Sequence, residues 1–189
     1  INTSMYDWQD QIVVGTVLGG ASLVKPPKGN NCYLSMRGKE DKWLMHKMLQ
    51  LPKYFDPEQK LCTYGTSFRC NSKCSPKLTA LRSVLYSGNK RTISLEVLEP
   101  LKDIGLAVWF IDGGSKTGRN RKNAYFNTTK YGEAGTHIIH QYFSLCCLDC
   151  TINKNGKDRW RILFDVYSTE RLFKTIANHF PTFMWNRLE

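Results

Sequence analysis

Arginine, asparagine and tyrosine recur at alternate positions in several short runs of this sequence. Tyr33, Ser35 and Arg37 share one parity, as do Tyr64 and Thr66, and then Arg69 and Asn71 beyond a turn or bulge. In the second half Asn123, Tyr125 and Asn127 alternate with Ala124, Phe126 and Thr128, while Arg159 and Arg161 alternate with Trp160 and Ile162. Successive side chains of a strand leave opposite faces, so each run predicts a polar face laid over an apolar one. The chemistry of such a face is hydrogen-bonded recognition: Arg pairs bidentately with guanine, and Asn with adenine, in a DNA major groove. Further basic and amide groups gather in three turns, which suit phosphate contacts. These are Lys25, Lys28 and Asn30; Lys116, Arg119, Arg121 and Lys122; and Lys154 and Lys157, the last pair about an Asn-Gly hairpin signal. Lys and Arg number 27 against 16 Asp and Glu, a net charge of +11. That excess fits a polyanionic partner, because each neutralised phosphate releases condensed counterions.

Other chemistries find less support. Of the 7 Cys, Cys147 and Cys150 form a CxxC, but no second tight pair completes a four-ligand zinc site. Small core thiols in a reducing compartment are the favoured reading. His137 and His140 lie three apart on a helix and have no Cys partner in register. No GxSxG run or Cys/His spacing suggests a nucleophile. No apolar run approaches the roughly 20 residues that span a bilayer. Ile1–Trp8 has neither the basic start nor the apolar stretch of a secretory signal.

The elements that must position these residues fall into two similar halves, 1–92 and 93–189. Each opens on an apolar, nearly uncharged run that stops at a Gly pair: Gln11–Ser22 and Ile104–Lys116. A helix apolar all round is buried on every side, and Gly15, Gly19 and Ala107 are small enough for two such helices to approach closely. The Gly pair is a natural helix stop. Gly20 aligns with Gly113, a spacing of 113 − 20 = 93 residues, about half the chain. After each run come a basic turn, a strand (31–37; 123–129), a helix (39–51; 135–147), a strand pair (61–64 with 67–71; 148–153 with 160–167) and a last helix. The last helices are expected over 76–86, capped by Ser75, and 168–179, capped by Ser168.

Val14–Ser22 and Leu106–Lys116, with Lys90-Arg91-Thr92-Ile93 ahead of the second run and Pro181–Leu188 near the end, resemble the LAGLIDADG homing endonucleases, single-chain and intron-encoded type. The resemblance covers about residues 9–188. It implies an α+β fold of two pseudo-symmetric αββαββα halves, packed through paired motif helices, each with a curved antiparallel sheet that saddles DNA. It also implies a monomer on a long asymmetric duplex site, hydrolysing phosphodiesters with Mg²⁺, in a mitochondrion, chloroplast or bacterial cytoplasm. In the family the eighth motif position is Asp or Glu. Here those catalytic positions are Gly20 and Gly113, and glycine offers hard Mg²⁺ only a backbone carbonyl. Asp112, one position earlier, is a candidate ligand set about 100° round the helix from the lost acid. Lys90 or Arg91, and Arg187, match family positions that place a cation beside the cleavage site. Loss of both acids with the apolar faces intact implies a site-specific DNA-binding protein of the homing-endonuclease class with cleavage impaired or abolished, either an engineered inactive variant or a natural protein that kept binding. The alternative is a non-cleaving binder of intron RNA or of an RNA assembly.

Overall fold

The computed structural model describes residues 6–188. Helix α1 (Trp8–Gly19) begins at Asp7, whose carboxylate accepts the Asp10 backbone N–H at 3.0 Å. Asp10 reciprocates by accepting the Asp7 N–H at 3.0 Å. Two donors otherwise orphaned at the helix start are thus satisfied. Asp10 is fully buried, and the Lys77 ammonium lies 2.5 Å from it. The second motif helix, α5 (Asp103–Gly113), has no side-chain cap of its own. Gln11 of α1 serves instead: its side-chain oxygen accepts the Lys102 N–H at 2.8 Å, and its amide donates to the Pro100 carbonyl at 2.8 Å. A buried amide is tolerated here because both its ends are bonded across the helix pair.

The two motif helices lie against each other along their small residues. A Cβ placed on Gly15 would lie 2.3 Å from the Gly105 carbonyl oxygen, and one on Gly19 would lie 2.2 Å from Asp112 Cβ. Backbone therefore touches backbone, and only glycine permits that distance. Gly15 and Gly19 make this approach as expected, with Gly105 opposite Gly15 and Asp112 and Gly113 opposite Gly19.

Each motif helix leads directly into a four-stranded antiparallel sheet. In the first half the strands are β1 (Ser22–Val24), β2 (Tyr33–Gly38), β3 (Cys62–Tyr64) and β4 (Ser67–Asn71), in the order β1-β2-β4-β3. In the second they are β7 (Gly114–Thr117), β8 (Asn123–Asn127), β9 (Cys150–Lys154) and β10 (Trp160–Phe164), in the order β7-β8-β10-β9. The two sheets share one strand order. Helices α2 (Asp41–Gln50) and α3 (Pro76–Leu85) cover the first sheet; α6 (Gly132–Leu145) and α7 (Val166–Ile176) cover the second. A small hairpin, β5 (Tyr86–Ser87) with β6 (Lys90–Arg91), and a short helix, α4 (Leu95–Leu98), connect the halves.

The inner faces carry Leu23, Leu34, Met36 and Cys70 in one half, and Ala124, Phe126, Ile162 and Phe164 in the other, all buried. The second core is aromatic. Trp109 of α5 packs on Phe126 with ring centroids 4.6 Å apart, and Phe143 and Phe164 meet edge to face at 4.9 Å. Among the described residues no helix is long and apolar enough to cross a membrane.

Several expected boundaries move. Strands β1 and β7 follow the motif helices at once, and each is too short to show alternation in the sequence. Lys116, expected in a turn, belongs to β7. The last helix starts at Val166, not at 168. Its cap is Asp165, whose carboxylate accepts the Ser168 N–H at 2.6 Å, while Ser168 is buried inside the first turn. Thr66 occupies the two-residue turn between β3 and β4, beside Gly65 at φ +59°, and not a strand. Ser75 does cap α3, accepting from Lys77 N at 3.2 Å.

Candidate nucleic-acid interface and the motif-helix ends

The face of each sheet that turns away from the helices is polar. On β2, Leu34 and Met36 point inward while Tyr33, Ser35 and Arg37 point outward; on β8, Ala124 and Phe126 point inward while Asn123, Tyr125 and Asn127 point outward. Arg69 and Asn71 of β4 share the open face, as does Arg161 of β10. Arg37 lies directly opposite Arg69 in the β2–β4 register. Like charges at opposed positions destabilise a sheet, so this arrangement suits a face that meets anions. Arg37 is aimed by its neighbours: its Nε donates to Ser67 Oγ at 2.8 Å and its guanidinium lies 4.7 Å from the Tyr64 ring centroid. Arg161 is held likewise, donating to Asn153 Oδ1 at 3.0 Å and lying 5.2 Å from the Tyr125 ring centroid. Planar cations stacked on rings lose less side-chain freedom when they bond a planar acceptor.

The expected loop residues Lys25, Lys28, Asn30, Arg119, Arg121 and Lys122 are all exposed, as are Lys154, Lys157 and Arg159 at the β9–β10 hairpin end. Lys116 is placed differently. It pairs with Ala124 in the register, on the inner side, and its ammonium donates to the Leu188 carbonyl at 2.9 Å. Asn123 is also engaged, donating to the Phe164 carbonyl at 2.8 Å. Ser22 and Ser115, on the open faces of β1 and β7, escaped the sequence reading because those strands did.

The carboxyl ends of α1 and α5 meet between the sheets. Gly20 has φ +156° and open space around its α-carbon; Gly113 lies so close to Gly19 that a Cβ would be 3.1 Å from both its Cα and its carbonyl oxygen. Neither supplies a side chain. Asp112 turns away toward α2, where Trp43 Nε1–H donates to one oxygen at 2.6 Å and the Lys47 ammonium binds the other at 2.6 Å. Both its oxygens therefore already hold partners on α2, and a metal would have to compete with Trp43 and Lys47 for this suggested ligand.

Arg91 occupies the neighbouring carbonyls. Its guanidinium donates to Val17 at 2.7 Å, Ala21 at 2.6 Å and Gly20 at 3.2 Å, and to Ser22 Oγ at 3.1 Å. A cation is favourable at a helix carboxyl end. Arg187 approaches the Gly114 carbonyl at 3.5 Å. Gly114 corresponds to Ala21 by the same 93-residue offset (114 − 21), so the two arginines hold equivalent posts in the two halves. Lys90 is exposed on the same short hairpin as Arg91.

Lys130, absent from the sequence expectations, stands in this cleft. The turn Thr129–Tyr131 after β8 swings it back toward the helix ends. Desolvation, with Arg91 nearby, pulls its pKa down to about 7, against a smaller opposing pull from Asp112. Among the described residues there is no group of three His, Cys, Asp or Glu able to hold a metal ion. Magnesium requires oxygen ligands and carboxylate charge. A cleft with two glycines, a committed Asp112 and the cations Arg91 and Lys130 does not fit it.

Paired buried helices beneath two like sheets, with a cationic open face, define a single-chain homing-endonuclease architecture. The chain belongs to the LAGLIDADG DNA endonuclease family, whose model matches residues 10–172. Among solved structures it is similar to the homing endonuclease I-WcaI bound to its DNA recognition sequence, with a TM-score of 0.84 at 17% identity, over 96% of this chain and 85% of that one. It is also similar to I-DmoI in complex with DNA and manganese (TM-score 0.57, 12% identity, 95% of this chain and 100% of that one). A third likeness is to the N-terminal LAGLIDADG domain of DUF199/WhiA (TM-score 0.52, 11% identity, 88% of this chain and 83% of that one). No curated protein matches it.

Proposed function

We propose that this protein binds a long, asymmetric duplex-DNA site as a monomer and leaves its phosphodiester bonds intact. The observation that carries the reading is the pairing of two features. Outward arginine, asparagine and tyrosine line both open sheets, and both motif-helix ends lack an unpaired carboxylate to hold a metal. The base-reading set is Tyr33, Ser35, Arg37, Arg69 and Asn71 with Tyr125, Asn127 and Arg161, and the exposed loop lysines and arginines hold the backbone. The similarity to I-WcaI, which is bound to its DNA recognition sequence, supports a duplex as the ligand. Divalent metals are named for the I-DmoI complexes; among the described residues of this cleft the carboxylate is Asp112, already bonded to Trp43 and Lys47.

Two measurements test this. Selection from a random duplex library at about 0.15 M salt should enrich one long motif, and the protein with that duplex should give no nicked strand in Mg²⁺ or Mn²⁺. Strand cleavage would overturn the non-cleaving assignment. Stronger binding to folded intron RNA than to any enriched duplex, at matched salt, would overturn DNA as the ligand.

A further inference from the structure

We propose that the cleft between the motif-helix ends is a metal-independent phosphate cradle, in which Lys130 makes the direct contact with a backbone phosphate. This deepens the DNA-binding reading and rests on it. The cleft has a volume of about 440 Å³; its lining includes Gly20, Gly113, Tyr125, Asn127 and Lys130, and also the Asp112 carboxylate, whose charge is met by the Lys47 ammonium at 2.6 Å. Removing carboxylates from a nuclease centre does not by itself make an anion site. The carboxyl end of a helix is its negative end and repels phosphate. In this protein Arg91 answers that problem, because its guanidinium covers the Val17 carbonyl in the last turn of α1 and the Gly20 and Ala21 carbonyls just beyond it. Arg91 is consumed by the helix, and Lys130 is left to face the cleft.

Lys130 is fixed in position yet lacks an anion of its own. Thr128, buried, accepts from Thr136 Oγ1 at 2.8 Å, and the Tyr131 hydroxyl reaches the Leu18 carbonyl at 3.4 Å, which together hold the turn. The ammonium lies 5.4 Å from the Tyr131 ring centroid and has no hydrogen-bond acceptor among the described residues. The charged groups around it are Arg91 of β6, which repels it, and Asp112 of α5, whose oxygens are taken by Lys47 and Trp43. Tyr131 presents its ring, and Tyr125, Asn127 and Thr129 are uncharged. In the free protein this ammonium is therefore destabilised by its surroundings, as its lowered pKa of about 7 records. A phosphate diester entering the cleft supplies the missing counter-charge and hydrogen-bond acceptors. The one carboxylate at the cleft, Asp112, is already paired with Lys47 and bonded by Trp43, so its repulsion of an entering phosphate is offset.

The test compares the wild type with Lys130→Met, using the enriched duplex and, as a DNA-free probe, inorganic phosphate. Lys130→Met should lower the slope of log affinity against log salt by about one contact and weaken duplex binding about fivefold near 0.15 M salt, equally across sequences. Wild-type affinity should be no higher in Mg²⁺ than in EDTA. Inorganic phosphate should raise the wild-type Tm and leave that of Lys130→Met unmoved. An unchanged salt slope, or duplex binding strengthened by Mg²⁺, would overturn the cradle while leaving DNA binding itself standing. If no duplex binds, the proposed function fails, and the phosphate arm still decides the cradle: equal Tm gains in both proteins would overturn it. Melting curves also guard against misfolding, since Lys130→Met removes a desolvated charge and should not lower Tm at pH 7.

Discussion

Gly15→Ala tests the contact on which the whole architecture rests. The added Cβ would lie 2.3 Å from the Gly105 carbonyl oxygen and 3.0 Å from Val108 Cβ. The first neighbour is backbone inside α5, so no rotamer change relieves it, and the two helices must separate by the better part of an ångström. Overpacking of a dense core costs about 1–3 kcal/mol, and a backbone clash belongs at the upper end. Alanine returns about 1 kcal/mol through its better helix propensity. The net loss is about 2 kcal/mol, which for a chain of this size lowers Tm by roughly 4–8 °C. Gly38→Ala is the control, because its Cβ would meet only Leu44 Cγ at an ordinary 3.8 Å. Thermal unfolding followed by circular dichroism reads both. If Gly15→Ala melts with Gly38→Ala, or above the wild type, then α1 and α5 do not pack through Gly15.

Three further outcomes follow from the same geometry. Lys47→Met should destabilise by about 3 kcal/mol, because it strands the largely buried Asp112 carboxylate, and adding Asp112→Asn should recover much of that in denaturant melts. Arg69→Ser should leave stability unchanged or raise it by up to about 1 kcal/mol, by relieving its opposition to Arg37, while weakening duplex binding in a fluorescence titration. Lys130 has a folded pKa of about 7, below its unfolded value, so between pH 7 and its unfolded pKa the unfolded chain binds more protons. Its contribution therefore becomes more favourable as pH rises. The Tm advantage of Lys130→Met should be largest near pH 6 and shrink toward pH 10; an advantage that grows with pH would refute the burial argument.

How much of this was legible in the sequence depends on which interactions are local. The motif helices showed themselves because burial on all sides leaves an uninterrupted apolar run, and the sheets because Tyr33–Arg37 and Asn123–Asn127 alternate. Strands β1 and β7 were hidden by their length. Asp165 was passed over as a cap because the residues before it continue a strand pattern, and only its bond to the Ser168 N–H shows where the helix begins. The site was less legible than the fold. Asp112 meets Lys47 across 65 residues and Arg91 meets Ala21 across 70, and no spacing rule joins such pairs. Lys130 lies just past the strand expected over 123–129, and no local pattern shows that a three-residue turn brings it to the helix ends.

The two glycines are built into the helix ends, and this bears on whether carboxylates alone could restore hydrolysis. At Gly20 the backbone has φ +156° and ψ −19°, a conformation L-residues rarely adopt. Gly20→Asp therefore costs about 1–3 kcal/mol unless the end of α1 rewinds, and rewinding would move the Gly20 and Ala21 carbonyls off Arg91. Gly113→Asp meets the Gly19 backbone at 3.1 Å and must displace it by a few tenths of an ångström. Even with both acids present, a divalent ion would share the cleft with Lys130 and with an Arg91 guanidinium already on the nearest carbonyls. The double substitution should lower Tm by several degrees and give no Mg²⁺-dependent nicking of the enriched duplex. Efficient cleavage by Gly20→Asp/Gly113→Asp at an unchanged Tm would show that only the acids had been removed from an otherwise intact catalytic centre, and the view of rebuilt helix ends would be wrong.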